Sequence, residues 1–293
     1  MPAPPLPQLP GVEHRDVHVR GVRLHVAQAG SGPPLLLLHG WPQHWWSWRR
    51  LIGPLAERYT VLAPDLRGWG WSQAPRDPYA KSTFADDIAA LIDHEGFERV
   101  RLIGHDWGGY TAFLLALEHP QRIERMVALD IVPPWPLPPQ ARHLAIPLFL
   151  SYQLFVASPL GAPAMRAGRS FVRTIIRAAS GPGTRWSDED LNLYADVLRD
   201  PERARASSAC YRTFLTREAP AGVRGGHRAR DLEVPTLLLM GGHSALQRTF
   251  APRPSRNLAV EVIPRAGHFL PEEAPEAVLE RALAFLGSPG AAA

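Results

Sequence analysis

With 293 residues, 45% of them hydrophobic, the chain is long and apolar enough to bury one full core, as a large domain or a domain carrying an insertion, which excludes a disordered chain. Its 32 basic residues, all arginine except Lys81, are scattered and offset by 28 acids to a formal charge of +4, a pattern that argues against a nucleic-acid surface. The single Cys210 excludes an intramolecular disulfide, reads as a buried, inert thiol and fits a reducing compartment.

The opening MPAPPLPQLPG reads as an extended, proline-rich leader, since it has no basic start and no apolar run of signal-peptide length. No stretch reaches the roughly 18 uninterrupted apolar residues of a membrane span. The segment from Leu144 to Leu160 comes nearest, but Pro147 and Pro159 break it and Ser151, Tyr152 and Gln153 make it polar. The expectation is a soluble, cytoplasmic protein, monomer or homodimer, that binds neither membrane nor nucleic acid.

The runs HVRGV and LHVA predict a hairpin through Gly21. Continuous apolar runs then follow at 34–38, 60–64, 100–104, 126–132, 235–241 and 258–264, the pattern of strands buried on both faces of a sheet. Helical patterns lie between them at 83–94 and 108–118, and a last helix is predicted at 275–286. Strands alternating with helices predict an α/β fold, a mostly parallel central sheet with helices on both faces. The alternation stops at PPWPLPP (133–139) and resumes near Glu233. Within the gap the patterns are helical only, with Ser187 as one N-cap and Asp200, followed by Pro201, as another. Residues 1–134 and 228–293 are therefore read as the core and 135–227 as a helical lid inserted after the sixth strand, above the sheet edge where such folds bind ligands.

The stretch VRLIGHDWGGYTAFLLAL is a strand, a glycine-flanked turn and a helix, with Asp106 at the apex. Only small neighbours, here Gly104, Gly108 and Gly109, permit so sharp a turn. Asp106 reads either as the N-cap of the helix that follows or as a nucleophile. An aspartate of ordinary pKa, about 3.9, is ionised at neutral pH without help from a base. Its attack on an acyl carbon would give an unprofitable anhydride, whereas attack on a saturated carbon gives an ester that an activated water can hydrolyse. The residue type thus points to epoxides or alkyl halides and away from esterase chemistry.

The elbow GHDWGG, the upstream HGWP (39–42), DLRGWGWS (65–72) and the late GHF (267–269) resemble, in this order, the α/β-hydrolase fold family and within it the epoxide hydrolases. The resemblance implies an oxyanion hole made by the backbone N–H groups of Trp41 and Trp107. His39 and Pro42 read equally well as shapers of a turn. In DLRGWGWS, Gly68 and Gly70 read as turn residues and Asp65 and Arg67 as internal polar contacts. The resemblance also implies His268 as the general base, while His105 reads as a packed elbow residue.

A base of this kind needs a carboxylate to fix its tautomer. In most of the resembled family that acid follows the seventh strand, where this chain reads LLLMGGHSALQ and offers Ser244. Asp130, 24 residues after Asp106, stands where some haloalkane dehalogenases resemble this chain in carrying theirs. Its other reading is a strand-end residue bonded to nearby backbone. Asp231 and Glu233 precede the seventh strand and so belong at the wrong end of the sheet.

Opening an epoxide leaves an alkoxide that needs a proton, and a phenol suits that task. Tyr152 in LSYQLF and Tyr211 in ACYRTFL resemble the paired lid tyrosines of epoxide hydrolases, while Tyr194 fits an apolar helix face. Trp45, Trp46, Trp48, Trp69, Trp71, Trp135, Phe149 and Phe155 are candidates for the wall of an apolar pocket. The function implied is that of a hydrolase acting on the ether bond of a small apolar epoxide, with no metal or cofactor. The alternatives are a haloalkane or haloacid dehalogenase and a non-catalytic ligand-binding protein on the same fold.

Overall fold

The computed structural model describes residues 4–76, 79–135, 146–220, 231–250 and 252–287, with the backbone alone for 146–150. Strands β1 (Glu13–Val19) and β2 (Val22–Ala29) form the predicted antiparallel hairpin. Its turn, Arg20 and Gly21, has φ of 50° and 76°, the left-handed pair that matches a two-residue turn to the twist of its strands.

The remaining strands are β3 (Pro34–Leu38), β4 (Thr60–Pro64), β5 (Val100–His105), β6 (Ile123–Leu129), β7 (Thr236–Gly241) and β8 (Leu258–Ile263). They complete an eight-stranded sheet in the order β1-β2-β4-β3-β5-β6-β7-β8. The pairings of β2 with β1 and β4 are antiparallel, and all the others are parallel. The sixth strand begins and ends three residues earlier than expected, so Asp130 follows it and is not part of it.

The inner strands β3, β4 and β7 are almost wholly apolar because both faces are covered, whereas β8, expected to be buried on both faces, lies at the sheet edge and leaves Ala259, Glu261 and Val262 exposed. Leu35, Leu37, Ile103, Val127 and Leu239 pack with α1 (Arg49–Ala56) and the C-terminal helix Pro275–Leu286, through Leu51, Leu55, Val278 and Leu286. Leu36, Leu38, Leu102, Met126 and Leu238 pack on the other face with α2 (Lys81–His94) and α3 (Trp107–Glu118), through Ile88, Leu91 and Phe113. Each fully buried leucine or isoleucine contributes roughly 1.5–3 kcal/mol. Helix α1 departs from the sequence reading, which has no helix there. It carries Gly53 and Pro54 internally, two residues that weaken a helix signal, and forms because Leu51, Ile52 and Leu55 are fully buried.

Between β6 and β7 in the chain lie only helices among the described residues: α4 (Ile146–Ala157), α5 (Gly161–Ala167), α6 (Ser170–Ala179), α7 (Asp188–Val197) and α8 (Pro201–Thr213), the last continued by a π-helical turn, Phe214–Glu218. Both expected caps are present. Ser187 Oγ accepts from the Asp190 N–H at 3.0 Å, and Asp200 Oδ1 accepts from the Glu202 and Arg203 N–H groups at 3.0 and 3.1 Å. These helices contact the loops beyond the strands' C-terminal ends: Ser207 accepts from the Trp69 indole and the Ala179 carbonyl from the His268 N–H. Among the described residues no helix is long and apolar enough to cross a membrane.

Candidate active site

Strand β5 ends at His105 and α3 begins at Trp107, so one residue makes the turn. That residue, Asp106, has φ 49° and ψ −124°. The backbones crowd so closely that a Cβ on Gly104 would lie 2.6 Å from the Gly108 carbonyl oxygen, and one on Gly108 2.0 Å from that of Leu38. Asp106 makes no side-chain cap to α3, which leaves the N-cap reading without its hydrogen bond. Its carboxylate instead accepts the Trp41 N–H at Oδ2, at 2.9 Å, and the Trp107 N–H lies close enough to favour its charge. Burial pushes its pKa up to about 6, against the pull of His268 and the two amides. The carboxyl is thus still ionised at neutral pH, though with less margin than a free aspartate has.

His268 follows β8 and points one ring nitrogen at each of two carboxylates. Nε2 stands 3.9 Å from Asp106 Oδ1 and Nδ1 pairs with Asp130 Oδ2 at 2.7 Å. Asp130 is fully buried at φ 42°, immediately after β6. Its Oδ1 accepts from the Gly241 N–H at 2.9 Å, and its Oδ2 accepts from Ser244 Oγ at 2.6 Å. Ser244 Oγ itself accepts from the Leu246 N–H at 3.1 Å, which leaves the hydroxyl proton for Asp130. The serine at the position where an acid was expected therefore supports the acid that stands elsewhere. Burial would lower the His268 pKa, but the hydrogen bond and charge of Asp130, with the charge of Asp106, raise it. With Asp130 as acceptor, the ring proton belongs on Nδ1 and Nε2 is the free base.

The loop around His268 is pinned by residues to which the sequence reading gave no role. Glu273 accepts from the Gly267 N–H at Oε2 and the Phe269 N–H at Oε1, each at 2.8 Å, and from Gly181 N–H at 2.6 Å. The signal was an acid five residues after the histidine. His105 packs as expected: it is fully buried, burial holds its pKa well below the usual value, and Nε2–H donates to the His268 carbonyl at 2.8 Å.

Tyr152 on α4 and Tyr211 on α8 meet with ring centroids 5.9 Å apart. Trp41 stacks on Tyr152 at 6.4 Å, and Trp41 and Trp107 meet Tyr211 edge-on at 5.3 and 5.5 Å. Burial and the charge of Asp106 both raise the two phenols' pKa, so both keep their protons at neutral pH. The indole N–H of Trp107 lies beside the Tyr211 hydroxyl without reaching hydrogen-bond geometry, and it and the Trp41 indole N–H are buried without a partner. All seven candidate residues, Trp41, Asp106, Trp107, Asp130, Tyr152, Tyr211 and His268, thus lie in one cluster.

Residues 33–275 match the family model described as the alpha/beta hydrolase fold. The chain belongs to the α/β-hydrolase fold family. It is 34% identical over 282 residues to the soluble epoxide hydrolase of Corynebacterium sp. (strain C12), covering 94% of this chain and 97% of that one. It is 32% identical over 281 residues to a fluoroacetate dehalogenase of Burkholderia sp., covering 91% of each. The solved structure of the epoxide hydrolase CorEH without ligand superposes with a TM-score of 0.83 at 32% identity, over 94% of this chain and 99% of that one.

Other α/β-hydrolase features fall where expected, with one correction. Asp65 is buried and accepts from the Trp45 and Trp71 N–H groups and from His25, Arg67 pairs with Asp87, and Gly68 and Gly70 have φ of 85° and 53°. His39 accepts from the Leu66 N–H, the Tyr194 hydroxyl bonds Glu272, and the Trp41–Pro42 peptide is cis. Cys210 is buried, with its thiol pushed up to about 12 by burial. Asp231 and Glu233 are exposed and precede β7. The aromatic wall is the correction. Trp45 and Trp48 are fully buried on the opposite face of the sheet, Trp46 bonds Asp190, Trp71 bonds the Pro4 carbonyl, Trp69 packs on Phe84 and Trp135 on Phe113. Phe155 is 37% exposed, and the side chain of Phe149 lies outside the described residues. Among the described residues, the rings gathered beside Asp106 include those of Trp41, Trp107, Tyr152, Tyr211 and His268.

Proposed function

We propose that the chain is an epoxide hydrolase that converts a small apolar epoxide and water to a vicinal diol through an ester on Asp106. The observation that carries this reading is the meeting of two phenols, 5.9 Å apart, on the ring of Trp41, whose N–H holds the Asp106 carboxylate. The similarity to the Corynebacterium enzyme supports it. Residues 135–227 act as the cap that brings the phenols; of these, 136–145 and 221–227 lie outside the described residues. The buried, unpaired Cys210 is in keeping with a cytoplasmic protein, as monomer or homodimer.

Trp41 N–H occupies Oδ2 of Asp106 and leaves Oδ1 to attack an epoxide carbon opposite the breaking C–O bond. The leaving oxygen takes a proton from Tyr152 or Tyr211. His268 Nε2, steadied at Nδ1 by Asp130, then removes a proton from water as that water attacks the ester carbonyl. The Trp41 and Trp107 amides stabilise the oxyanion on Oδ2. Collapse, with the proton on Nε2 passing to the leaving oxygen, releases the diol carrying Oδ1; the water oxygen stays in the carboxyl group, whose remaining proton restores the tyrosine and regenerates the carboxylate.

The test mixes His268→Gln protein with a panel of epoxides and haloalkanes and weighs the intact protein. The expected result is a mass gain equal to the whole epoxide, mapped to Asp106; an unmodified Asp106 with every epoxide would overturn the reading. A second reading, dehalogenation, is favoured by the unpartnered indole N–H groups of Trp41 and Trp107, which suit a departing halide, and by similarity to the dehalogenase. Halide release without diol formation from epoxides would select it. Ligand-induced melting shifts without any turnover would select a binding protein.

A further inference from the structure

Lys81 is the chain's one lysine, and it is fully buried. It opens α2, whose N-cap Ala80 makes no side-chain hydrogen bond. Glu218, at the end of the π-helical turn after α8, takes that part: Oε1 accepts the Lys81 backbone N–H at 2.6 Å and Oε2 the ammonium at 2.8 Å. The ammonium also donates to the Cys210 carbonyl at 3.2 Å and lies over the rings of Trp107 at 4.4 Å and Phe214 at 5.2 Å.

A buried cation is costly unless paired and hydrogen-bonded, and Lys81 is both. A compact ammonium fits between two rings while donating to a carboxylate and a carbonyl, a geometry that a planar guanidinium does not reproduce. Each of its contacts leads to the reacting groups. The Trp107 indole meets the Tyr211 ring edge-on at 5.5 Å, Cys210 immediately precedes Tyr211, and the π turn, a form common at functional sites, begins three residues after Tyr211.

We propose that Lys81 is a positioning residue for ring opening, clamping α8 to Trp107 so that the Tyr211 phenol stays aligned with the Asp106 carboxylate. The inference rests on the epoxide reading. It predicts a defect in ester formation and none in ester hydrolysis, because Lys81 meets the Trp107 indole while the Trp107 amide is set by the turn into α3, and His268 and Asp130 are held by other elements.

The experiment measures the two half-reactions separately, by rapid mixing and intact mass, for wild type, Lys81→Met and Lys81→Met/Glu218→Gln. The double variant also removes the carboxylate left unpaired in the single one and so guards against unfolding. Epoxides of graded alkoxide basicity serve as substrates. Both variants are expected to form the ester roughly 10- to 100-fold more slowly, the scale of a misplacement near 1 Å. The deficit should grow with alkoxide basicity, hydrolysis should stay near the wild-type rate, and the double variant should regain melting temperature without regaining speed. Ester formation at the wild-type rate in the double variant, or an equal slowing of both steps for every epoxide, would overturn the inference alone. Absence of both ester and diol from every epoxide in wild type would overturn the epoxide reading and this inference with it.

Discussion

Replacing Asp106 with asparagine keeps an acceptor for the Trp41 N–H and removes a buried charge, so the stability gained can be worked from the carboxyl's own titration. Its pKa rises from 3.8 to about 6 on folding, because burial outweighs His268 and the two amides. At about 1.4 kcal/mol per unit, the ionised carboxylate costs the fold on the order of 3 kcal/mol at any pH above 6. Between pH 4 and 6 the folded protein holds a proton that the unfolded chain has lost, so this contribution falls as pH rises through that window. By the same relation the cost is only about 1 kcal/mol at pH 4.5. Urea unfolding of wild type and Asp106→Asn at pH 4.5 and 7.5 is the assay. The variant should be more stable at both values, with the gain about 2 kcal/mol larger at pH 7.5. An equal gain at the two pH values would refute the electrostatic reasoning and leave only relief of backbone strain.

The same titration predicts that ester formation slows as pH falls through about 6, where Asp106 becomes protonated, as single-turnover mass measurements would detect. Asp130→Asn should turn an amide N–H toward His268 and force the wrong ring tautomer; ester hydrolysis should then slow by roughly 10³- to 10⁴-fold, with the ester accumulating in the mass spectrum. Tyr152→Phe and Tyr211→Phe should each slow ring opening by about 10²-fold or more and leave hydrolysis of a preformed ester unchanged. Gly40→Ala would set a Cβ 2.3 Å from Asp106 Cβ and 2.5 Å from Oδ2. It should cost roughly 10²-fold in ester formation, read by the same single-turnover assay.

Much of this was legible because local rules decide it. Continuous apolar runs between glycine and proline signals marked the parallel strands, and the Ser187 and Asp200 caps were visible as residue types. GHDWGG announced its own turn, since the glycine spacing is a statement about backbone clearance. The aromatic wall failed for a different reason. Which face of a sheet or helix a tryptophan meets depends on its partners, and Trp45 and Trp48 went to the face away from the site. Helix α1 was hidden by Gly53 and Pro54, whose propensity is overridden by burial of Leu51 and Leu55. The Lys81 clamp pairs residues 137 positions apart, and its one local hint was a lone lysine in an arginine-rich chain.

The displaced acid follows from how the sheet ends. Among the described residues three non-glycine residues have positive φ, and two of them are Asp106 and Asp130, each just past the end of its strand. Such backbone costs about 1–3 kcal/mol per residue and persists only where its surroundings over-determine it. Here the sheet does so: Asp106 donates its N–H to the Leu129 carbonyl of β6 at 3.2 Å, and Asp130 donates to the Leu239 carbonyl of β7 at 2.8 Å. Each extends the ladder one step and is then turned upward from the C-terminal edge. The end of β7 supplies donors, the Gly241 N–H and the Ser244 hydroxyl, which a carboxylate from β6 can meet as well as one of its own. His268 requires a carboxylate oxygen at one point in space, and either of two adjacent strands can deliver it there.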